Sequence, residues 1–219
     1  SAFNLDSSTG QLSVKTTIDF EIKPTYSFVV RATDNGIPAK VGDCDVTVLV
    51  IDINEIPSIA ATTTLSVEEN SETDTLVGSS PLVHADPDNV DDPSISVYNT
   101  FIFEITSGDD DGIFTITTNG GQLKVLRANR LNFEGINKYT LGVRISDNGN
   151  LFADGVVTVN LLDVNERPSV SDCVRSVEEN SNANTQLTGG ACVGSDVDAG
   201  DTLSYSLVGG DDNLFNVAS

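Results

Sequence analysis

The chain has 219 residues, which suffices for one large domain or two of ordinary size, and 38% of them are hydrophobic, which favours a folded chain over a disordered one. Aspartate and glutamate number 33 against 11 lysines and arginines, and the formal net charge of −22 at pH 7 makes nucleic acids and anionic membranes unsuitable partners. No apolar run approaches the roughly 20 residues needed to cross a bilayer, so we expect no membrane insertion of this chain.

Strands are predicted wherever apolar residues occupy every second position, because such residues line one face of a β-strand. This alternation occurs, in chain order, at 26–32, 46–50, 139–145 and 157–161. Turn sequences occur at Asn35-Gly36, 118–121, 147–149 and Gly209-Gly210. No stretch of ten or more residues keeps a helical period. Short alternating strands within about 110 residues predict an antiparallel Greek-key sandwich of about seven strands.

The sequence repeats itself with a period of roughly 110 residues. The motifs return in matching order: 19–21 as 132–134, 30–36 as 143–149, 52–57 as 163–168, 67–70 as 177–180, and 86–88 as 196–198. Only residues 58–168 contain the whole set. We therefore predict the C-terminal part of one repeat at 1–57 (the first repeat), a complete repeat at 58–168 (the middle repeat), and the N-terminal part of another at 169–219 (the third repeat).

Carboxylates and carboxamides concentrate in these motifs, at strand ends or in loops. Loops of a sandwich collect at its two ends, so we expect two acidic groups. One contains Glu69, Glu134 and the linker 163–166, and the other contains Asp86, Asp88, Asp147 and the linker 52–55. Carboxylates gathered within about 5 Å repel one another unless cations neutralise them. Oxygen ligands without Cys or His select calcium or magnesium, and the abundance of acidic groups favours calcium, which takes about six to eight ligands.

The ordered motifs Glu-Asn, Asp-x-Asp, Asp-x-Glu, Asp-Asn-Gly and Asp-x-Asn-Glu-x-Pro resemble those of the cadherin repeat family over essentially the whole chain. The Glu of Asp-Val-Asn-Glu and the run 198–210 look more similar to cadherin-like repeats of large bacterial or algal surface proteins than to vertebrate junctional cadherins. The resemblance implies an all-β fold of tandem immunoglobulin-like, seven-stranded Greek-key sandwiches. It also implies calcium at the junctions between repeats and an extracellular or cell-surface location.

The resemblance further implies the ligands at each junction. At the first junction they are Asp19, Glu21, Asp52, Asn54, Glu55, Asp86, Asp88 and Asp147. At the second they are Glu69, Asn132, Glu134, Asp163, Asn165, Glu166, Asp196 and Asp198. Ile53 and Val164 occupy positions whose backbone carbonyl is a ligand in the family, Asp34 would serve an upstream junction, and Glu179 completes the set. Taken singly, each Asp or Asn could instead cap a turn through its side chain.

Two departures from the family pattern affect the expected ion count. Asn132 stands where an aspartate is usual, so we expect the second junction to be weaker or to hold fewer ions. Both linkers end Glu-x-Pro, one residue shorter than the common form, which leaves two or three ions per junction open. We expect affinities on the order of 10⁻⁴ to 10⁻³ M. The chain has no tryptophan, so adhesion by tryptophan strand exchange is not expected.

Cysteine and histidine positions give three smaller predictions. Cys173 and Cys192 should lie on the first two strands of the third repeat, close enough for a disulfide. Cys44 shares the alternation face of Val46, which predicts a buried unpaired thiol. His84, the one histidine, is expected on the solvated surface.

An enzymatic function is not expected, because one histidine supplies no nucleophile-base pair and no glycine-rich phosphate loop occurs. Acidic pairs that recur in every repeat suit a structural role. Two functions remain open: a structural or adhesive array stiffened by calcium, and a glycan- or protein-binding module. The expected partners are neighbouring repeats. Homophilic or head-to-tail self-association is also possible, because 213–217 and 3–6 resemble the same strand of the fold.

Overall fold

A computed structural model of the chain describes residues 1–88 and 100–208, which form β-strands and one 3-10 turn, Ala128–Arg130. The strands are β1 Phe3–Leu5, β2 Leu12–Val14, β3 Thr25–Thr33, β4 Val41–Leu49, β5 Ser58–Ile59, β6 Thr62–Glu68, β7 His84–Ala85, β8 Phe101–Ser107, β9 Phe114–Ile116, β10 Leu123–Val125, β11 Lys138–Asp147, β12 Phe152–Leu162, β13 Ser169–Val170 and β14 Gly194–Ser195. The four alternating stretches fall on β3, β4, β11 and β12. In the described part, no helix is long and apolar enough to cross a membrane. The predicted Gly209-Gly210 turn and the 213–217 strand lie outside the described residues.

The middle repeat is a two-sheet β-sandwich. Its larger sheet has the order β6-β12-β11-β8, in which β11 runs antiparallel to both neighbours and β12 pairs in parallel with β6. The facing strands pair as β5 with β7 and β9 with β10, and a bridge joins Leu76 to Lys124. The chain passes from one sheet to the other between β5 and β6, so these strands are two parts of one. With that count the sandwich has the predicted seven strands in Greek-key order.

The alternation of β11 and β12 builds the core between the sheets. Leu141, Val143, Ile145 and Val159 are 0% exposed. Burying such a side chain contributes about 1.5–3 kcal/mol of stability. All of the buried hydrophobic residues in the described part lie between Val67 and Leu161 and form one cluster. The middle repeat is therefore the part of the described chain with a closed core.

In the first repeat, an antiparallel ribbon of β3 and β4 is covered at one end by the β1–β2 hairpin. Phe3 of that hairpin packs against Tyr26 and Phe28, with ring centroids 5.1 and 5.8 Å apart. Cys44 pairs across the ribbon with Val30, beyond these rings, and it is exposed. The prediction of a buried thiol was wrong, because alternation selects a face of the ribbon but does not ensure that another sheet covers it.

The third repeat begins with the short ribbon β13–β14. The predicted disulfide between Cys173 and Cys192 is present, with Cα atoms 5.9 Å apart. Neither cysteine lies in a strand, contrary to expectation: both occupy irregular segments flanking the ribbon. The bond thus joins the segment after β13 to the segment before β14.

His84 belongs to β7 and is half-buried, so its expected place on the solvated surface was wrong. Its ring packs edge-on against Phe101 and Phe103, with centroids 5.2 and 5.1 Å away. Its Nδ1 lies 3.0 Å from the Leu82 carbonyl oxygen. The imidazole ring therefore packs at the edge of the hydrophobic core, two positions before Asp86.

Candidate metal centres

Three groups of carboxylates occur in the described part of the chain, each with oxygen atoms within 4.8 Å of one another. The first cluster is Glu21, Asp52, Glu55 and Asp88; the second is Glu69, Glu134, Asp163 and Glu166; the third is Asp196, Asp198 and Asp201. The first lies at the linker between the first and middle repeats, and the other two lie on either side of the next linker. Like charges about 4 Å apart near a protein surface repel by about 4 kcal/mol. Each cluster therefore needs protons or cations for a stable arrangement.

The first cluster forms where the linker meets the loop after β7. Asp88, which is 0% exposed, accepts a hydrogen bond at Oδ2 from the Glu55 backbone N–H at 2.9 Å. The Asp88 N–H in turn donates to Asp86 Oδ1 at 2.9 Å. A buried carboxylate of the middle repeat thus holds the backbone of the linker, and it keeps its second oxygen free.

The end of β11 provides another contact with this linker. Asn54 donates from Nδ2 to Asp147 Oδ2 at 3.0 Å, and the Leu151 N–H donates to Asp147 Oδ1 at 2.9 Å. Gly149 lies beneath the Asn54 side chain, and a methyl group at this position would come within 2.5 Å of Asn54 Cγ. The glycine of the Asp-Asn-Gly turn thus leaves room for the linker to approach.

The second cluster centres on Glu69, which follows directly on the end of β6 and is 2% exposed. Its Oε1 accepts from the Val164 N–H at 3.0 Å, and its Oε2 accepts from the Phe133 N–H at 2.8 Å. One buried carboxylate therefore ties together β6, the segment before β11 and the linker, and it brings Glu134 and Asp163 to the same place.

The third cluster lies across that linker and repeats the hydrogen bonds of the first junction. The Glu166 N–H donates to Asp198 Oδ2 at 2.8 Å, as the Glu55 N–H does to Asp88. The Asp198 N–H donates to Asp196 Oδ1 at 3.2 Å. The recurrence shows that equivalent motifs adopt equivalent geometry at both linkers.

Burial raises the pKa of several carboxyl groups at the two linkers, and repulsion from neighbouring carboxylates adds to this effect. Burial against the cluster, followed by the charges of Asp88 and Glu21, raises the pKa of Glu55 from 4.5 to about 7, although the residue as a whole stays exposed. Burial is also the largest cause of the raised pKa values of Glu21, Asp52, Asp86, Asp163 and Glu166. The folded chain thus opposes the ionisation of these groups when no cation is present.

Buried oxygen atoms without a hydrogen-bond partner provide the test of metal fit. Within residues 1–88 and 100–208 they are Glu21 Oε1, Asp52 Oδ1, Asn54 Oδ1, Asp86 Oδ2, Asp88 Oδ1, Glu166 Oε2 and Asp198 Oδ1. Leaving one buried acceptor unsatisfied costs about 1–3 kcal/mol, more for a charged group. All of these atoms are oxygens that can only accept, and all lie at the two linkers. Oxygen ligands of this kind fit a hard divalent cation, and calcium in particular.

Two predicted ligands, Asp19 and Asn132, accept hydrogen bonds within local turns. Asp19 Oδ1 accepts from the Ile22 N–H at 2.8 Å, and Asn132 Oδ1 accepts from the Gly135 N–H at 2.6 Å. Both residues are exposed, and their side chains make the same three-residue turn at equivalent positions. This is the capping role that the sequence left open. Asp19 still lies close enough to raise the pKa of Glu21, as a minor cause after burial.

Three other predicted ligands also lie outside the carboxylate groups. Asn165 donates from Nδ2 to the backbone oxygen of its neighbour Glu166 at 3.0 Å. Asp34 is exposed and accepts at Oδ1 from the Gly36 and Lys40 N–H groups, at 3.1 and 2.8 Å. Glu179 is exposed and belongs to none of the described clusters. Asn165, Asp34 and Glu179 therefore belong to none of the three carboxylate groups found in the described residues.

Three residues that shape these centres were not predicted from the sequence. Asn70, whose φ of 55° is left-handed, donates from Nδ2 to Glu166 Oε1. Asp201 joins the third cluster, and Gly149 accommodates Asn54. The return of Asn70 as Asn180 and the Asp-Ala-Gly-Asp run ending at Asp201 were signals available in the sequence.

Comparisons with known proteins agree with this architecture. The profile of the cadherin domain family matches residues 1–51 and 63–162. Protocadherin Fat 4 of Mus musculus is 31% identical over 223 residues, covering 99% of this chain and 4% of that protein. The Fat-like cadherin-related tumor suppressor homolog of Drosophila melanogaster is 28% identical over 221 residues, covering 97% of this chain and 4% of that protein. The chain thus spans only a small part of these curated relatives.

Solved structures show the same fold. Mouse cadherin-23 EC22-24 superposes with a TM-score of 0.65 at 27% identity, covering 91% of this chain and 62% of that one. The protocadherin gammaB7 EC3-6 cis-dimer structure also gives a TM-score of 0.65, at 21% identity, with 91% and 49% covered. The resemblance to bacterial or algal surface proteins is not borne out, because these relatives are animal proteins. The chain belongs to the cadherin domain family, whose β-sandwich repeats are extracellular, adhesive and non-enzymatic.

Proposed function

We propose that this chain is a stretch of an extracellular cadherin array in which calcium at two junctions stiffens the connection between repeats. The repeats are those at 1–57, 58–168 and 169–219. The observation that carries the proposal is the set of buried, unpartnered oxygen atoms, all of which lie at the two linkers in the described part of the chain. Groups of this kind are costly in a folded protein unless a ligand satisfies them.

The residues that would hold calcium come from both sides of each linker. At the first junction they are Glu21, Asp52, Asn54, Glu55, Asp86, Asp88 and Asp147; at the second they are Glu69, Glu134, Asp163, Glu166, Asp196, Asp198 and Asp201. A cation shared by such a set would cross-link two sandwiches through their linker. Without the cation, the same carboxylates repel one another and favour separation of the repeats.

Calorimetric titration tests the binding step. We expect calcium to bind with a Kd on the order of 10⁻⁴ to 10⁻³ M, and magnesium to bind more weakly because it demands near-octahedral geometry. The Asp110→Asn variant is a matched control, since Asp110 is exposed and lies outside the described clusters. Equal dissociation constants for calcium and magnesium, or no saturable binding of calcium, would rule out the proposed sites.

The array is favoured over a glycan-binding module because the described surface offers no aromatic platform. Phe152 and Tyr205 are the large aromatic residues exposed in the described part, and the Arg144 guanidinium covers the Phe152 ring at 3.8 Å. The proposed partners are neighbouring repeats, and we also propose that copies of the chain associate with one another. Protocadherin gammaB7 has been solved as a cis-dimer, which supports self-association without fixing a head-to-tail mode.

A further inference from the structure

We propose that Asn70 is a positioning residue that orients the Glu166 carboxylate for cation binding at the second junction; this inference rests on the proposed function. Asn70 directly follows Glu69 at the end of β6, whereas Glu166 lies in the linker. The Asn70 carboxamide donates from Nδ2 to Glu166 Oε1. Through this hydrogen bond, the Asn70 side chain of the middle repeat contacts the linker.

The two oxygens of Glu166 are in different situations. Oε1 is held by Asn70, whereas Oε2 is buried and has no hydrogen-bond partner. Glu166 also supplies an oxygen to the second cluster, within 4.8 Å of oxygens from Glu69, Glu134 and Asp163. Fixing one oxygen lowers the rotational freedom of the carboxylate, so the other is kept ready for a ligand and little ordering remains to be done on binding.

The backbone at Asn70 supports this role. Its φ of 55° lies in the left-handed region, which asparagine adopts more readily than most residues. Its N–H donates to the Leu131 carbonyl at 3.2 Å. Meanwhile the Glu166 N–H donates to Asp198. Glu166 is thus held through its side chain by the middle repeat and through its backbone by the third, which forms a continuous link across the junction.

Asn180 provides a matched control within the same chain. It occupies the equivalent motif position and has a φ of 62°, yet it belongs to the third repeat, whereas the hydrogen bond to Glu166 comes from Asn70 of the middle repeat. Replacing either residue by glycine removes the carboxamide and keeps a residue that tolerates positive φ. The pair of variants therefore separates the hydrogen bond to Glu166 from any general effect of losing asparagine at this turn.

The test is a calcium chloride titration followed by backbone amide NMR, which reads the junctions separately: Ile53 and Glu55 report the first, Val164 and Glu166 the second. We expect Asn70→Gly to weaken binding at the second junction about 10- to 100-fold and to leave the first unchanged. Asn180→Gly should leave both unchanged.

The outcomes distinguish this inference from the proposed function. Normal binding at the second junction of Asn70→Gly, or an equal loss at both junctions, would overturn the positioning role of Asn70. The same selective loss in Asn180→Gly would also overturn it. Absence of calcium-dependent shifts at both linkers of the unmodified chain would overturn the proposed function, and this inference with it.

Discussion

Asp88 combines two properties that rarely occur together in one carboxylate. It is 0% exposed, and only one of its oxygens has a hydrogen-bond partner, the Glu55 N–H. A buried charge that is only partly satisfied destabilises a fold unless another group compensates for it. In the proposed array the compensation comes from calcium, so removal of this single charge should affect the first junction selectively.

Asp88→Asn keeps the shape of the side chain and an oxygen that can accept from the Glu55 N–H, but it removes the charge. We expect calcium affinity at the first junction to fall about tenfold or more, equivalent to about 1.4 kcal/mol. The second junction should be unaffected. Amide NMR titration measures both. An unchanged affinity at Ile53 and Glu55, with Asp110→Asn as the charge-matched control, would contradict the assignment of Asp88 as a ligand.

The pKa of Glu55 gives a pH prediction for the metal-free chain. Its folded-state pKa of about 7 exceeds the ordinary 4.5, so protonation favours the folded state; this contribution is fully present below pH 4.5 and is lost as pH rises through 7. We therefore expect the melting temperature in chelator to fall across this window. The lowered pKa values of Asp6, Asp43 and Asp154 act in the opposite direction but below the window.

Thermal denaturation monitored by circular dichroism, at several pH values in chelator, measures how the melting temperature changes with pH. Glu55→Gln should reduce this dependence, because the substitution removes one of the groups with a raised pKa and retains its size. A melting temperature that increases between pH 4.5 and 7 in the metal-free chain would contradict the raised pKa of Glu55.

At the residue scale, the sequence identified the acidic motifs but not how each oxygen is used. Asp19 and Asn132 have the spacing of ligands, and their side chains also accept hydrogen bonds within local turns. Spacing along the chain cannot distinguish these roles, because both place an oxygen near a strand end. Asn70 was missed for a related reason, since its role depends on a contact with Glu166, 96 residues away.

At the element scale, β11 and β12 carry the stability of the middle repeat. Their paired strands place alternate residues in the core, while Arg144 and Asp154 form an ion pair on the outer face at 2.7 Å. The first repeat has the equivalent pair, Arg31 with Asp43, also at 2.7 Å. The outer ion pairs are exposed and contribute little, so the inner faces determine stability.

The Leu141→Ala variant tests whether the inner faces of β11 and β12 determine the stability of the middle repeat. Leu141 is 0% exposed, so truncation should lower the free energy of unfolding by about 2–5 kcal/mol through lost burial and a cavity. Leu49→Ala, on an exposed position of β4, is the control and should change it by less than about 0.5 kcal/mol. Urea denaturation in excess calcium measures both. Equal effects of the two substitutions would contradict the location of the core.

The strands were predictable because alternation directly reflects which face of a strand is apolar. The depth to which each side chain is buried could not be predicted in this way. Val159 and Val48 are equivalent in the repeat, yet Val159 is 0% exposed and Val48 is only half-buried, because residues 1–57 contain only the two ribbons β1–β2 and β3–β4 of the predicted repeat. Burial depends on whether a second sheet covers the face, and alternation within one strand has no information about that sheet. The mistaken prediction for Cys44 has this same origin.

At the scale of the whole molecule, the recurrence of motifs predicted the architecture better than any single motif could. The hydrogen bond from Glu55 to Asp88 returns as the bond from Glu166 to Asp198, at 2.9 and 2.8 Å. Equivalent sequence therefore produces equivalent junctions. The junctions still differ in detail, because Asn132 replaces the aspartate found at position 19 and removes one negative charge.

Small-angle X-ray scattering in excess calcium and in chelator shows whether calcium stiffens the connection between repeats. With calcium bound, we expect a longer maximum dimension and a narrower distribution of conformations, since the clusters at both linkers would be cross-linked. In chelator, repulsion among the same carboxylates should broaden the distribution and shorten the mean dimension. Scattering curves that superimpose under the two conditions would contradict the account.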